Sequence, residues 1–355
     1  MIDLLDYPIA FETAAFVQLN ELLRHAQYSK VVVLLDDNTK QYCWPILQQA
    51  LQAWAPATLV VPAGEQHKNI TTCQHIWQQL MALKIDRKAL LINLGGGVLG
   101  DMGGFCASTF KRGLDFIQIP TTLLAQVDAS VGGKLGVDFE GVKNSVGLFA
   151  APKAVYLHPA FFQTLPKEEL YSGYAEMIKH ALLQQTTHWR AFLPTHFPPQ
   201  DWQESIEASI GVKKAIVAQD PLEQGMRKQL NLGHTIGHAV ESLSWETQQP
   251  LLHGEAVALG TLMAAYLSWR LLDWPLEELQ KLNDYIRSLY TSYDLSMLDL
   301  EAIWQLVLQD KKNSHQQVSF TLLQANGSVA INQAVSKALV EEALLYYQSN
   351  QLPTL

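Results

Sequence analysis

The sequence contains few cysteines and little charge. Three of its 355 residues are cysteine, Cys43, Cys73 and Cys106, and no two of them form a CxxC pair. An odd and widely spaced set of cysteines excludes a secreted disulfide scaffold and indicates a reducing compartment. Charged residues make up 17% of the chain and hydrophobic residues 48%, which excludes an intrinsically disordered protein. The sequence also contains no internal repeat and no low-complexity tract.

Long apolar runs and an excess of basic residues are missing as well. No segment approaches the roughly 20 apolar residues of a membrane span. The N-terminal stretch MIDLLDYPIAFET carries acids where a signal peptide needs bases. We therefore expect a cytoplasmic protein without a membrane partner. With 25 basic against 34 acidic residues the net charge is -9, which argues against a nucleic-acid partner.

The basic residues that are present concentrate in segments rich in glycine, asparagine and histidine. They are Lys111, Arg112, Lys134, Lys143, Lys179, Lys213 and Arg227. Such a concentration in an acidic chain favours the binding of one small, highly charged anion in a cleft.

Strand-like and helix-like runs alternate over the first 150 or so residues. Strands are predicted at residues 30–36, 57–61, 89–94 and 115–119, with helices around 44–54 and 69–83. This alternation predicts parallel βαβ units and a doubly wound sheet.

Helical spacing of apolar residues predominates from about Pro166 onward. The predicted helices are residues 168–183, 201–219, 231–243, 254–272 and 276–290, and one strand-like run covers 317–323. We therefore predict an α/β domain with a Rossmann-like parallel sheet over residues 1–160. A mostly α-helical domain follows over residues 161–355.

The third predicted strand runs directly into a glycine-rich turn. Gly95, Gly97 and Gly100 satisfy the GxGxxG pattern between a strand and a helix. Glycine lets the backbone approach a ligand there, and the helix N-terminus favours an anion such as pyrophosphate. Tight packing of the helix on the sheet is the alternative explanation. Asp36, at the end of the first predicted strand, is a candidate partner for a ribose hydroxyl. The turn at residues 62–68 could contact ribose and phosphate.

A glutamate and three histidines in the helical half indicate a metal site. Glu176 and Lys179 lie one helical turn apart, and His234 and His238 share one helix face at i, i+4. His253 stands at the start of an apolar helix. Two histidines and a carboxylate with one open position are the ligand set of a catalytic zinc. Spacing leaves two histidine pairs open, His234 with His238 and His234 with His253.

Together these segments resemble the 3-dehydroquinate synthases of the sugar phosphate cyclase family. The resemblance spans nearly the whole chain and rests on the ordered motifs PAGEQHK, GGGVLGDMGGF, RGLDFIQIPTTLLAQVDASVGGKLGV, GVKNSVGLF, SGYAEMIKHAL, RKQLNLGHTIGHAVE, LHGEAVALG and DKKN. It implies NAD on the first domain, zinc (or cobalt) in the second, an active site in the cleft between them, and a homodimer.

The resemblance also implies a role for individual residues. The implied NAD contacts are Asp36, Ala63, Gly64, Glu65, Gln66, His67, Lys68, Gly97, Val98, Leu99, Gly100, Asp101, Thr121, Thr122, Lys134, Lys143, Phe161, Phe162, Gln163 and Thr164. The implied metal ligands are Glu176, His234 and His253, which leaves His238 for the substrate. The implied substrate residues are Asp128, Lys134, Lys143, Asn144, Lys179, Lys213, Arg227, Asn231, His238, one of Lys311 or Lys312, and Arg112 reaching across the dimer interface.

Three positions depart from the pattern of the family. Pro221 follows Asp220 where a second acid is usual, Asn326 replaces a common isoleucine before Gly327, and His180 stands where tyrosine is frequent. None of these departures removes an implied ligand or base.

The activity implied by the resemblance converts 3-deoxy-D-arabino-heptulosonate 7-phosphate to 3-dehydroquinate and phosphate, in the shikimate pathway to the aromatic amino acids. NAD takes a hydride from a hydroxyl carbon that zinc polarises, phosphate leaves by β-elimination, and the hydride is returned. Ring opening and an intramolecular aldol closure complete the product. Lys134, Asn144, Lys213 and Arg227 favour this carboxylated substrate.

Three alternatives remain open. A sibling cyclase would make a valiolone or an inosose from a sugar phosphate without a carboxylate. A zinc- or iron-dependent polyol dehydrogenase of related fold would release NADH. A non-catalytic binding protein on a decayed enzyme scaffold is disfavoured, because Glu176, the histidines and the lysines are all present.

Overall fold

The computed structural model of the chain describes residues 4–140, 142–309 and 318–352. The chain divides into two units. The first comprises the residues up to Pro166 together with Asp201–Ile206, and the second comprises Lys167–Gln200 and the residues from Glu207 onward. Among the described residues, no helix is both long enough and apolar enough to cross a membrane.

A six-stranded sheet forms the centre of the first unit. Its strand order is β1-β8-β5-β4-β2-β3, and all neighbouring strands are parallel. The strands of the described residues are β1 (Ile9–Phe11), β2 (Val31–Asp36), β3 (Ala57–Val61), β4 (Leu90–Gly95), β5 (Asp115–Pro120), β6 (Lys134–Phe139), β7 (Val142–Phe149), β8 (Ala154–Leu157), β9 (Val318–Leu323) and β10 (Val329–Val335). The predicted Rossmann-like parallel sheet is confirmed.

Helices cover both faces of this sheet. Val32 and Leu34 of β2 pack on one face with the helices at Ile70–Ala82 and Gly97–Thr109. Val33 and Leu35 pack on the other face with the helix at Glu12–Ala26. Burial on both faces explains why β2 reads as a continuous apolar run. The helices of the described residues are α1 (Glu12–Ala26), α2 (Asp37–Tyr42), α3 (Trp44–Ala50), α4 (Ile70–Ala82), α5 (Gly97–Thr109), α6 (Lys167–Gln184), α7 (Trp202–Gln219), α8 (His234–Ser244), α9 (His253–Leu272), α10 (Leu276–Leu289), α11 (Leu300–Gln309) and α12 (Lys337–Ser349).

The direction in which the chain crosses the sheet changes between β2 and β4. The connection after β2 leads to β3 at one edge of the sheet, whereas the connection after β4 leads to β5 on the other side. In open α/β sheets, ligands bind at the carboxyl ends of the two strands that flank such a switch point. Here those ends are Asp36 and Gly95.

The structure corrects several details of the sequence-based prediction. The short edge strand β1 was not predicted, so the glycine-rich turn follows the fourth strand of the chain and not the third. α3 ends at Ala50, earlier than predicted. α8 begins at His234 and not at residue 231, because Gly233 has a φ of +79° and separates the helix from a preceding short turn. The hairpin of β6 and β7 and strand β8 were also missed, whereas the strand at 318–323 pairs with β10 as one arm of a hairpin.

Candidate active site

The loops that carry the predicted NAD contacts all follow the carboxyl ends of the parallel strands, and we call this side of the sheet its carboxyl edge. Asp36 pairs with Val61 in β3, and Gly95 pairs with Pro120 in β5, so these strands end at the same level. The predicted segments follow directly: residues 62–68 after β3, 96–101 after β4, 121–122 after β5, and a short helical segment, Pro159–Thr164, after β8. The sheet therefore brings segments that are far apart in sequence to one edge.

The glycine-rich turn packs closely against the sheet and leaves the backbone N–H groups at the start of α5 without a side-chain cap. Gly96 precedes α5 without a side-chain cap, and the first turn of a helix leaves backbone N–H groups that suit an anion. The Gln118 amide donates to the Gly100 carbonyl at 3.0 Å, and a Cβ at Gly100 would lie 3.2 Å from Gln118 Oε1. Buried Asn93 donates to Gln118 Oε1 at 3.3 Å. This polar contact inside the sheet holds the first turn of α5 in place.

A buried lysine links three of the segments at this edge. Lys68 Nζ lies 2.7 Å from Asp101 Oδ2 and 2.7 Å from Asn144 Oδ1. Burial by itself would lower the pKa of Lys68, but Asp101 and neighbouring carboxylates raise it, so the side chain stays charged. Asn144 has a φ of +49°, and its backbone N–H donates to Asp138 Oδ1 at 2.7 Å. The turn after β3, the start of α5 and the hairpin of β6 and β7 are thereby tied together.

The other predicted site residues of the first unit lie outside the network of Lys68, Asp101 and Asn144. The Asp36 carboxylate caps α2, accepting from Thr39 N at 2.7 Å. Leu99, Phe161 and Phe162 are buried in the core of this unit. Lys134 and Lys143 are exposed on the hairpin, and Asp128 lies in a π-helical turn, Ala125–Ala129, after β5. Arg112 follows the C-terminus of α5 and precedes β5, so it lies at the amino ends of the strands, opposite to the glycine-rich turn.

The predicted metal ligands converge in the second unit. Glu176 Oε1 lies 3.4 Å from His234 Nε2 and 3.4 Å from His253 Nε2. Ligand atoms about 2.0–2.1 Å from a tetrahedral Zn²⁺ lie about 3.4 Å apart, so these separations fit one ion. Glu176 is completely buried, and its Oε1 accepts no hydrogen bond of regular geometry from the described residues. The carboxylate and the two imidazoles are therefore suited to hold a divalent cation.

The other nitrogen of each imidazole faces an oxygen atom. His234 Nδ1 lies 3.0 Å from the Leu232 carbonyl oxygen, and His253 Nδ1 lies 3.2 Å from Glu241 Oε2. Because a carbonyl and a carboxylate can only accept, each Nδ1 carries a proton, which leaves each Nε2, on the side of Glu176, as the nitrogen that can bind a metal. Metal-binding histidines in proteins are oriented in this way.

Burial and neighbouring charges shift the pKa values of the three donors in different directions. Burial would raise the pKa of Glu176, but the ammonium group of Lys179 and the two imidazoles outweigh it and hold the pKa well below its usual range. Burial and the Lys179 charge lower the pKa of His234. For His253, burial lowers the pKa, but the nearby carboxylates of Glu176 and Glu241 raise it to about 9, so this imidazole must release a proton before it can bind a metal. The ion pair of Lys179 with Glu176 is fully buried.

His238 is the third histidine of this cluster. Its ring centroid lies 4.9 Å from that of His234 and 5.5 Å from that of His253, and each of the three rings offers a nitrogen within 4.8 Å of the other two. The ion-pair contacts that Glu176 makes with histidine are to His234 and His253. Of the two pairs left open by spacing, this geometry favours His234 with His253.

Close contacts between three helices bring these side chains together. A Cβ at Gly237 of α8 would lie 2.6 Å from the Ala256 carbonyl oxygen of α9, so only glycine allows this approach. The Gly254 N–H of α9 donates to Ser172 Oγ of α6 at 3.0 Å. Glu176, His234 and His253 each stand on one of these three helices.

The other predicted residues of the second unit are mostly engaged with the protein itself. Lys213 and Arg227 are buried. The Arg227 guanidinium donates to the Pro221 carbonyl at 2.5 Å, and Asn231 donates to Glu223 Oε1 at 3.0 Å. Lys311 and Lys312 lie outside the described residues.

Sequence reasoning missed two acids that contact predicted site residues: Glu223, which accepts from Asn231, and Glu241, which lies against His253. Glu241 lies seven residues after His234, on the same face of α8, and this spacing is the signal that could have found it. Glu223 carries no comparable signal, because its contact with Asn231 depends on the conformation of an irregular segment.

Comparison with solved structures shows which fold this chain has. The chain is similar to a 2-deoxy-scyllo-inosose synthase complexed with carbaglucose-6-phosphate, NAD+ and Co2+, with a TM-score of 0.86, 23% identity and 98% of each chain covered. It is also similar to a 2-epi-5-epi-valiolone synthase from Streptomyces hygroscopicus subsp. jinggangensis with NAD+ and Zn2+ bound, with a TM-score of 0.85, 21% identity and 99% of each chain covered. The fold is that of the sugar phosphate cyclases.

Sequence comparison identifies the family. Family models described as 3-dehydroquinate synthase N-terminal and C-terminal match residues 58–172 and 173–313. A 3-dehydroquinate synthase of Parabacteroides distasonis is 41% identical over 336 residues, which cover 94% of this chain and 95% of that protein. The chain belongs to the 3-dehydroquinate synthase family.

Proposed function

We propose that this protein converts 3-deoxy-D-arabino-heptulosonate 7-phosphate to 3-dehydroquinate and phosphate, using NAD and one divalent metal ion. The observation that carries the proposal is the convergence of Glu176 Oε1 on the Nε2 atoms of His234 and His253, at 3.4 Å each, in a member of this family. When bound, the metal supplies a Lewis acid for a substrate hydroxyl, and NAD supplies a reversible hydride acceptor.

In the second unit, Glu176, His234 and His253 would hold the metal. Lys179 keeps the Glu176 carboxylate ionised and compensates its charge in a buried environment. His238, beside His234 and His253, is proposed to contact the substrate and not the metal. An imidazole in that position can exchange a proton with a substrate hydroxyl.

In the first unit, the carboxyl edge of the sheet would hold NAD. The glycine-rich turn and the N-terminus of α5 suit the pyrophosphate, and Asp36 at the end of β2 suits a ribose hydroxyl. The network of Lys68, Asp101 and Asn144 holds the surrounding loops in one arrangement. The NAD+ and metal ions named for the two cyclases of similar fold support this part of the proposal.

Cationic side chains would bind the carboxylate and the phosphate of the substrate. Arg227 and Lys213 are buried cations of the second unit, and Lys134 and Lys143 are exposed cations of the first. Charge-assisted hydrogen bonds from such groups to an anion are each worth about 1.5–3 kcal/mol. A substrate that lacks the carboxylate would make fewer of these contacts and would be bound more weakly.

The proposal is tested by incubating the purified protein with NAD, zinc and the seven-carbon acid phosphate and measuring the release of phosphate. We expect release over many turnovers, with no NADH accumulating at the absorbance of the reduced nicotinamide. NADH that increases in step with substrate loss would instead identify a polyol dehydrogenase. Faster turnover of sedoheptulose 7-phosphate or glucose 6-phosphate would identify a sibling cyclase.

We further propose that the protein acts as a cytoplasmic homodimer in which Arg112 serves the site of the partner. Lys111 has a φ of +49° and Arg112, which follows it, has a φ of +70°. Both lie at the amino ends of the strands, away from the glycine-rich turn. Inactive Arg112→Ala and inactive Glu176→Gln proteins should regain about a quarter of the activity when their subunits are mixed, because half of the dimers then contain one intact site. Absence of recovery in proven mixed dimers would contradict this assignment.

A further inference from the structure

The buried carboxylate of Glu241 has no part in the proposed reaction, but it contacts His253, one of the two histidines proposed to bind the metal. Glu241 lies on α8, and only 3% of its surface is exposed. Its Oε2 is 3.2 Å from Nδ1 of His253, the first residue of α9. Burying a carboxylate is costly unless it is paired, so a buried carboxylate placed against an imidazole calls for an explanation.

The two histidines that face Glu176 are backed by different kinds of oxygen. The Nδ1 atom of His234 faces the neutral carbonyl of Leu232, whereas the Nδ1 atom of His253 faces the carboxylate of Glu241. An acceptor with a full negative charge draws the Nδ1 proton more strongly and makes Nε2 the better electron donor. His253 is also the more exposed of the two side chains, 31% against 12%, so its ring is less constrained by packing.

We propose that Glu241 is a positioning residue that locks the tautomer and orientation of His253 and strengthens it as a metal ligand. This inference rests on the proposed metal site formed by Glu176, His234 and His253. In the absence of Glu241, the His253 ring could rotate, since its position at the first residue of α9 leaves one side accessible to solvent.

The experiment measures zinc affinity by competition with a chelator, in Glu241→Ala, Glu241→Gln and wild-type protein. Loss of such a partner weakens metal binding by about 10–100-fold, and this is the result we expect for Glu241→Ala. Glu241→Gln keeps an oxygen that can accept from Nδ1 but loses the charge, so its affinity should lie between the other two. The visible spectrum of the Co²⁺-substituted protein should also shift in Glu241→Ala, because the ligand field changes.

Glu246→Gln is the matched control. Glu246 is an exposed acid just beyond the end of α8, so this variant removes the same charge without touching His253. Its zinc affinity and Co²⁺ spectrum should equal those of the wild type. An equal loss of affinity in Glu246→Gln and Glu241→Gln would show a general charge effect and overturn the inference.

His253→Ala separates failure of this inference from failure of the metal site. If His253→Ala binds zinc as tightly as the wild type, the proposed site itself is wrong. If His253→Ala loses zinc but Glu241→Ala and Glu241→Gln keep wild-type affinity, the metal site stands and the role of Glu241 is overturned.

A measurement on the wild type decides the matter if Glu241→Ala does not fold. In zinc-loaded protein with 15N-labelled histidine, nuclear magnetic resonance reports which ring nitrogen of His253 carries the proton. We expect the proton on Nδ1, in a strong hydrogen bond. A proton on Nε2 of His253, or an Nδ1 proton in rapid exchange with solvent, would overturn the inference.

Discussion

Replacing Gly237 with alanine tests whether the close approach of α8 and α9 sets the geometry of the cluster formed by Glu176, His234 and His253. The new Cβ would lie 2.6 Å from the Ala256 carbonyl oxygen and 3.2 Å from its carbon. The oxygen belongs to the backbone of α9, so it cannot rotate away as a side chain could. The helices must separate until this distance reaches at least 3.0 Å, and 3.4 Å for ordinary contact.

A displacement of this size matters at the cluster because His234 lies on α8 and His253 on α9. Metal and catalytic groups must be held within about 0.5 Å of their working geometry. A misplacement approaching 1 Å can reduce turnover by about a hundredfold. We therefore expect Gly237→Ala to bind zinc more weakly and to lose activity by about ten- to a hundredfold, although neither the methyl group nor its carbonyl neighbour is a metal ligand.

Gly211→Ala provides the matched control for stability. Gly211 lies in α7, and a Cβ there would meet nothing within 4 Å. Both variants gain up to about 1 kcal/mol from the helix propensity of alanine. Only Gly237→Ala adds an overpacking cost of about 1–3 kcal/mol, and this is the expected difference between the two free energies of unfolding.

Denaturant unfolding and chelator competition on the two variants check this prediction. A difference of 1 kcal/mol corresponds to about 2–4 °C in Tm for a unit of this size. Equal free energies of unfolding, together with wild-type zinc affinity in Gly237→Ala, would refute the argument that the contact between α8 and α9 sets the cluster.

Three further substitutions test other parts of the site. His238→Ala should keep its zinc, measured by metal analysis, but lose about a hundredfold in phosphate release, and loss of the metal would instead make His238 a ligand. Lys68→Met should lower the free energy of unfolding by about 1.5–3 kcal/mol and weaken NAD binding, because Asp101 and Asn144 lose a charged partner. Arg227→Ala should weaken binding of the acid phosphate by about ten- to a hundredfold, while calorimetry shows unchanged NAD and zinc affinities.

The fold of the first unit was largely predictable because its signals are local. Continuous β-branched runs such as Val31–Asp36, separated by helices of regular length, predict buried parallel strands without knowledge of their neighbours. The hairpin of β6 and β7 was missed because its glycines and lysines give no clear alternation. The three-residue strand β1 was missed because its pairing with β8 depends on residues almost 150 positions away.

For the candidate site, the sequence by itself determined which residue types are available. It contains the glycine-rich turn, the i, i+4 histidines and Glu176 one turn from Lys179, and the family resemblance relates them to one another. Spacing along the chain could not choose between His238 and His253, because a metal ligand set depends on distances between helices. The periodicity of a helix shows which of its residues share a face, but it does not show which other helix that face contacts.

The tertiary structure decided those distances. The sheet order places the ends of β2 and β4 at a switch point, which makes Asp36 and the turn after Gly95 neighbours. The contact of Gly237 with Ala256 brings α8 to α9, so that His234 and His253 meet Glu176 and Glu241 faces His253. The acids and imidazoles are present in the sequence, but their pKa values and hydrogen bonds arise only from burial and from helix contacts that the folded chain creates.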